Sequence, residues 1–141
     1  MLLEDLPAKE RWTVVRHQGT MYLEFVKRRF HRAMTHEDFG KEAQSLAGLI
    51  DYQSGSVVSR TMINKTAGTV TLFAFDENQG LSEHTTPYDA LVLIVDGALE
   101  VTIDGVSHRL SHGEVLLMPA DKPHAVHASE RSKMLLVMIR E

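Results

Sequence analysis

Eight histidines and no cysteine set the terms for any chemistry in this 141-residue chain. Without thiols there is no disulfide, no thiolate nucleophile and no Cys-ligated zinc or iron–sulfur centre, so a metal would be held by imidazole, carboxylate, hydroxyl or water. One stretch concentrates the candidates. Residues 119–128 read PADKPHAVHA, with His124 and His127 between the apolar runs VLLM and MLLVMI. Imidazole there suits a first-row metal ion or general-base work near neutral pH. In a strand, residues two apart share a face, so His124 points with Val126 and Ala128 and His127 points the other way. The two are therefore not expected to chelate together. The same parity puts Ser82, His84 and Thr86 on one face of an earlier segment, and His84 becomes the expected partner of His124. Thr86, Tyr88 and Met118 are the further pocket candidates, and the remaining histidines, His108 and His112 among them, read as surface residues in turn-like or helix-like contexts.

Much other chemistry is excluded. Ser82 does not sit in a strand-to-helix elbow, no Gly-rich phosphate loop is present, and no two carboxylates form a recognisable catalytic pair. Net charge is −4, which opposes a phosphate backbone, so nucleic-acid binding is not expected. No apolar run approaches the roughly 20 residues a membrane helix needs, and MLLEDLPAKE is too short and too acidic for a signal peptide. A cytoplasmic location away from membranes is the expectation. Hydrophobic residues at 43% and charged residues at 24% are ordinary for a globular domain with its own core.

Positioning these side chains falls to a series of short strands that begins near residue 55. Apolar runs recur with turn signals between them at 56–63, 69–75, around His84, and at 90–95, 98–103, 106–110, 114–118, 124–128 and 133–139, the pattern of a sandwich or barrel. Asp96-Gly97 and Asp104-Gly105 both predict type I′ hairpins. ALEVTI alternates, as a strand with one wet face should. LVLIV (91–95) and LLVMI (135–139) are apolar at every position, so both faces of these strands must be covered. One face fills a barrel; the other needs a second layer, supplied by the N-terminal segment or by a second copy of the chain. From Thr20, Tyr22, Phe25, Val26, Phe30 and Ala33 recur at spacings of three and four, predicting a helix with Lys27, Arg28 and Arg32 on its solvated face. A further short helix or turn is expected around HEDFGKEAQSLAGLI, opened by Thr35. The division is thus an N-terminal extension over 1–50, helical and packing on the barrel or a partner, and a β-barrel over 51–141.

The stretch from 80 to 128 resembles the cupin superfamily of double-stranded β-helix, or jelly-roll, barrels. The first family motif runs from a glycine through His-x-His and Glu to a closing Gly; here its leading His is His84, its second His slot holds Thr86, its Glu slot Ala90, and its closing Gly is Gly97. The second motif opens at Gly113 with Pro119 and His124 in place, while its Gly slot holds Asp121 and its Asn slot Ala128. The likeness covers about residues 56–139 and implies a mostly β fold of RmlC-like type with two of the usual four metal ligands, His84 and His124. The substitutes at hand are Thr86, with a hydroxyl in a ligand slot, and Asp89, beside the Glu slot.

The function that this resemblance implies is a single-cupin protein with a small-molecule pocket marked by His84 and His124, holding a divalent metal drawn from Mn, Fe, Ni, Cu or Zn. Two alternatives stand beside it. One is a metal-independent isomerase or epimerase, with a histidine base and Tyr88 as acid. The other is a non-catalytic module that binds or senses a small ligand. A homodimer is expected from the two all-apolar strands.

Overall fold

The computed structural model describes residues 10–17, 20–27 and 41–140, which belong to two units with their boundary between Glu42 and Ala43. In the first unit, β1 (Glu10–His17) and β2 (Thr20–Lys27) pair antiparallel, from Glu10 opposite Lys27 to His17 opposite Thr20. The helix expected from Thr20 is therefore a strand over residues 20–27. TMYLEFVK satisfies period two as well as period 3.6, and it faces WTVV, a run of aromatic and β-branched residues suited to a strand partner. Phe30 and Ala33, the rest of the expected helical stripe, lie outside the described residues. Where a further short helix or turn was expected, the described part holds a single 3-10 turn at Ala47–Leu49.

The second unit is the barrel. Its strands are β3 (Val57–Lys65), β4 (Gly68–Phe75), β5 (Gly80–His84), β6 (Asp89–Asp96), β7 (Ala98–Ile103), β8 (Val106–Ser111), β9 (Val115–Met118), β10 (His124–His127) and β11 (Ser132–Ile139). They form a four-stranded sheet ordered β5-β10-β7-β8 and a five-stranded sheet ordered β3-β4-β11-β6-β9, antiparallel throughout. The chain crosses from sheet to sheet after β4, β5, β6, β8, β9 and β10, which is the jelly-roll winding. The fold class is mostly β, as expected. Among the described residues no helix is long and apolar enough to cross a membrane.

One of the two Asp-Gly pairs makes the expected hairpin. Asp104 and Gly105 both have positive φ, 50° and 81°, and close β7 onto β8 with Ile103 opposite Val106. Asp96-Gly97 instead turns a corner between the sheets, because β6 and β7 belong to different ones. Gly97 has φ 68° and stands where any Cβ would strike the Arg131 carbonyl. Ser132 then clamps the corner, its hydroxyl donating to Ala98 O at 2.7 Å and accepting from Ala98 N at 3.2 Å.

The core lies between the sheets: Phe75, Val92, Ile94, Leu99, Val101, Val126 and Met134 are buried there. A second cluster lies on the outer face of the five-stranded sheet, where Ile50 packs with Leu72, Ala74 and Val95, flanked by Leu46, Leu49, Tyr52 and Leu135. Residues 46–52 thus supply a second layer over one end of that face. Two cations anchor it through backbone carbonyls: Arg60 Nη1 donates to Leu49 O and Lys133 Nζ to Ala47 O, each at 2.6 Å. The Tyr52 hydroxyl donates to Asp96 Oδ2 at 2.6 Å, and the Lys133 ammonium lies 4.7 Å from the centre of the Tyr52 ring.

Candidate functional site

His84 ends β5 and His124 begins β10, two strands paired at one side of the four-stranded sheet. Close approach of these strands depends on Gly80, since a Cβ there would meet the Val126 carbonyl. The register sets His124 opposite His84 and Val126 opposite Leu81, so three steps on β5 match two on β10. The extra residue is a bulge at Ser82–Glu83, both exposed. It lets Leu81, packed on the barrel core, and His84 share one face although they are three residues apart. On β10 the alternation is regular: His124 and Val126 are buried and His127 is exposed.

The two imidazoles meet edge to face, with ring centroids 4.4 Å apart and planes at 69°. His124 is only 3% exposed, whereas His84 is half-buried. Each ring is held by a carbonyl two residues before it in the chain, with His84 Nδ1 2.7 Å from Ser82 O and His124 Nδ1 3.0 Å from Lys122 O. A carbonyl only accepts, so these are hydrogen bonds when Nδ1 carries the proton, and in the neutral ring the lone pair then resides on Nε2. Burial pushes the His124 pKa below the ordinary imidazole value; the Lys122 carbonyl opposes this and the neighbouring His84 adds to it. His124 is accordingly neutral at pH 7, the form able to donate a lone pair or accept a proton.

The segment leading into His124 is pinned from three sides. Asp121, at φ 63°, donates its N–H to Thr86 O at 2.8 Å, Asp104 N donates to Pro123 O at 2.8 Å, and Ala120 N donates to Asp89 Oδ1 at 2.9 Å. Thr86 therefore contributes its backbone to this latch, and its hydroxyl donates to Tyr88 O at 3.2 Å. Asp89 is exposed and spends a carboxylate oxygen on the same loop, so it is a rim staple. The Tyr88 ring lies beneath the Arg140 guanidinium, 5.5 Å from it. Met118 is buried in the core opposite Ala90. His108 proves to be half-buried in β8, opposite Val101, where a surface turn was expected. The orienting carbonyls of Ser82 and Lys122 had no signal in the sequence, because every residue carries one.

A solved structure of a conserved protein of unknown function from Streptococcus pyogenes is 31% identical, covering 78% of this chain and 93% of its own, with a TM-score of 0.71. A cupin superfamily protein from Desulfitobacterium hafniense is 30% identical over 72% of this chain and 93% of its own, with a TM-score of 0.69. The family model of the cupin domain matches residues 71–140. This chain belongs to the cupin superfamily. Another cupin relative, a conserved barrel domain protein from Leptotrichia buccalis, is 35% identical over 67% of this chain and 46% of its own, with a TM-score of 0.65. No curated protein matches the sequence.

Within this cupin the donor set is small. Ala90, in the slot where the family places Glu, is buried on the inner face of β6 and offers only a methyl group. Among the described residues no three His, Cys, Asp or Glu side chains gather as a metal-binding group. What the residues do fit is a two-nitrogen site. The contact between the rings, centroids 4.4 Å apart, brings both imidazoles within reach of one small ligand. A carbonyl on each Nδ1–H is the usual outer partner of a ligating histidine.

Proposed function

We propose that this cupin binds a small molecule at His84 and His124, with a divalent ion of the Mn, Fe, Ni, Cu or Zn series held by their two Nε2 atoms. The observation that carries the reading is the cross-strand pair itself: two imidazoles in contact, each oriented through Nδ1 by a backbone carbonyl, the deeper one kept neutral by burial. When bound, such an ion supplies Lewis-acid polarisation of an oxygen ligand. The chain's own part is to fix the two donors and exclude water on the side facing Val126 and Leu81. Two protein donors leave several coordination positions for water or ligand, so affinity is modest and chelators strip the ion readily.

A metal-free reading rests on the same neutral His124, whose Nε2 would take a proton from a carbon acid in an isomerase- or epimerase-type reaction, with Tyr88 as the acid. A non-catalytic ligand-binding module would use the pair only as hydrogen-bonding groups. Equilibrium dialysis of the metal-free protein and three variants separates these readings. The expected result is uptake of one of the five ions near one per chain, lost in His84→Ala and in His124→Ala and retained in His127→Ala. No specific uptake by the parent, or equal loss in all three variants, overturns the metal reading.

A further inference from the structure

The loop that delivers His124 is held by the segment that delivers His84. His84 closes β5, and residues 85–88 lead from it into β6 at Asp89, whose backbone is fixed in the five-stranded sheet opposite Ile139. Hydrogen bonds run from this stretch to residues 119–123: Thr86 O accepts from Asp121 N at 2.8 Å, and Asp89 Oδ1 accepts from Ala120 N at 2.9 Å. The other end of the loop is tied to the β7–β8 hairpin, where Asp104 N donates to Pro123 O at 2.8 Å and Asp104 Oδ2 stands 3.7 Å from Lys122 Nζ. Between these anchors lies Lys122 O, 3.0 Å from His124 Nδ1.

Thr86 and Asp104 hold the loop backbone with their own backbones, whereas Asp89 holds it with its side chain. The identity of residue 89 therefore sets how firmly the loop sits. Firm seating matters because Asp121, next to the bonded Ala120, has φ 63°, in the left-handed region that a residue with a Cβ keeps only where its surroundings hold it. Pro119 and Pro123 fix φ at the two ends of the loop, so any relaxation falls on residues 120–122. Lys122 follows Asp121 directly, and its carbonyl turns with that relaxation. That carbonyl is the group that keeps the proton of His124 on Nδ1 and the lone pair on Nε2.

We infer that Asp89 is a positioning residue for His124: its carboxylate keeps the 119–123 loop on the His84 segment, so that the Lys122 carbonyl stays on His124 Nδ1 and Nε2 is presented beside His84. This role rests on the reading of His84 and His124 as one ligand site, yet the histidine proton is observed without any ligand. Proton–nitrogen spectra of the metal-free full chain at pH 7.5 follow the His124 Nδ1–H. In Asp89→Leu this proton should exchange with solvent about tenfold faster, the size expected for one lost hydrogen bond. Asp89→Asn keeps an acceptor oxygen and should stay near the parent. Leu72→Ala lowers overall stability away from the loop and should leave the rate unchanged, because a group at the rim exchanges through local opening. With zinc as the probe ion, affinity should fall about tenfold in Asp89→Leu and hold in Asp89→Asn. An unchanged Nδ1–H rate in Asp89→Leu, an equal rise in Asp89→Asn or in Leu72→Ala, or zinc affinity in Asp89→Leu equal to that of a zinc-binding parent overturns the inference. No zinc uptake by the parent overturns the metal reading instead, and the exchange rates then decide the role of Asp89 by themselves.

Discussion

The two sheets of the barrel present opposite outer faces. On the four-stranded sheet, His127, Glu100 and Arg109 line up across β10, β7 and β8, and beside them stand Ala125, Thr102 and Ser107. The Arg109–Glu130 ion pair, at 3.4 Å between exposed groups, belongs to the same wet surface. On the five-stranded sheet the outer positions of β6, β11 and β4 are mostly Val, Leu and Ile, part covered by residues 46–52 and part open. The inner faces are alike, both closing on one core. The lesson is that strand alternation reports what lies on each side of a sheet, not the strand itself: ALEVTI alternates because one side is solvated, and LVLIV does not because neither side is meant to be. The sheet with the polar exterior carries the histidine pair at its β5–β10 side.

The largest effect that could break this comparison concerns Leu72. It is on the outer face yet fully buried under the 46–52 layer, so Leu72→Ala should cost about 2–5 kcal/mol, as for a core leucine. Glu100→Ala, at a matching outer position of the other sheet, should stay within about 0.5 kcal/mol. Urea denaturation of both variants checks the contrast, and equal costs would erase it.

A smaller loss is expected from Lys133→Met. The buried Lys133 ammonium bonds the Ala47 carbonyl and faces the Tyr52 ring, so its removal should cost about 1–3 kcal/mol and loosen residues 46–52 first. Amide exchange should rise at Ala47–Tyr52 before it rises in β7 or β10.

The third expectation is a pH dependence confined to the four-stranded sheet. His124 has a lowered pKa in the folded chain, so as pH falls below about 6.5 the unfolded chain takes up a proton that the folded one resists, and stability drops through that window and below it. Replacing His124 by Leu should flatten this part of the stability profile. Urea midpoints at pH 7.5 and 5.0 measure the difference.

Most of the barrel was legible because its strands are bounded by turn residues and β-propensity is strong in each run; every expected strand from 56 onward is present within about two residues. The pairing of His84 with His124 was legible from parity together with the family resemblance. The bulge at Ser82–Glu83 was not, since nothing in GLSEH distinguishes a bulged strand from a regular one, and parity alone would have turned Leu81 away from His84. The stretch from Thr20 was ambiguous in principle: Tyr22, Phe25 and Val26 fit a helix, while Met21, Leu23 and Phe25 fit a strand, and pairing with β1 decides between them. Asp96-Gly97 carries the chemistry of a hairpin but turns between sheets, because local turn preference does not say which strand comes next to which.

The account rests most heavily on two imidazoles presenting Nε2 to one ligand. Proton–nitrogen correlation spectra of the histidine side chains at pH 7.5, before and after adding zinc as the probe ion, test it directly. The predicted result is that His84 and His124 are both Nδ1–H tautomers in the free protein, that their Nε2 resonances shift together on addition of one equivalent, and that His127 does not respond. Nε2–H tautomers at His84 and His124, or a zinc response at His127 equal to theirs, would contradict it.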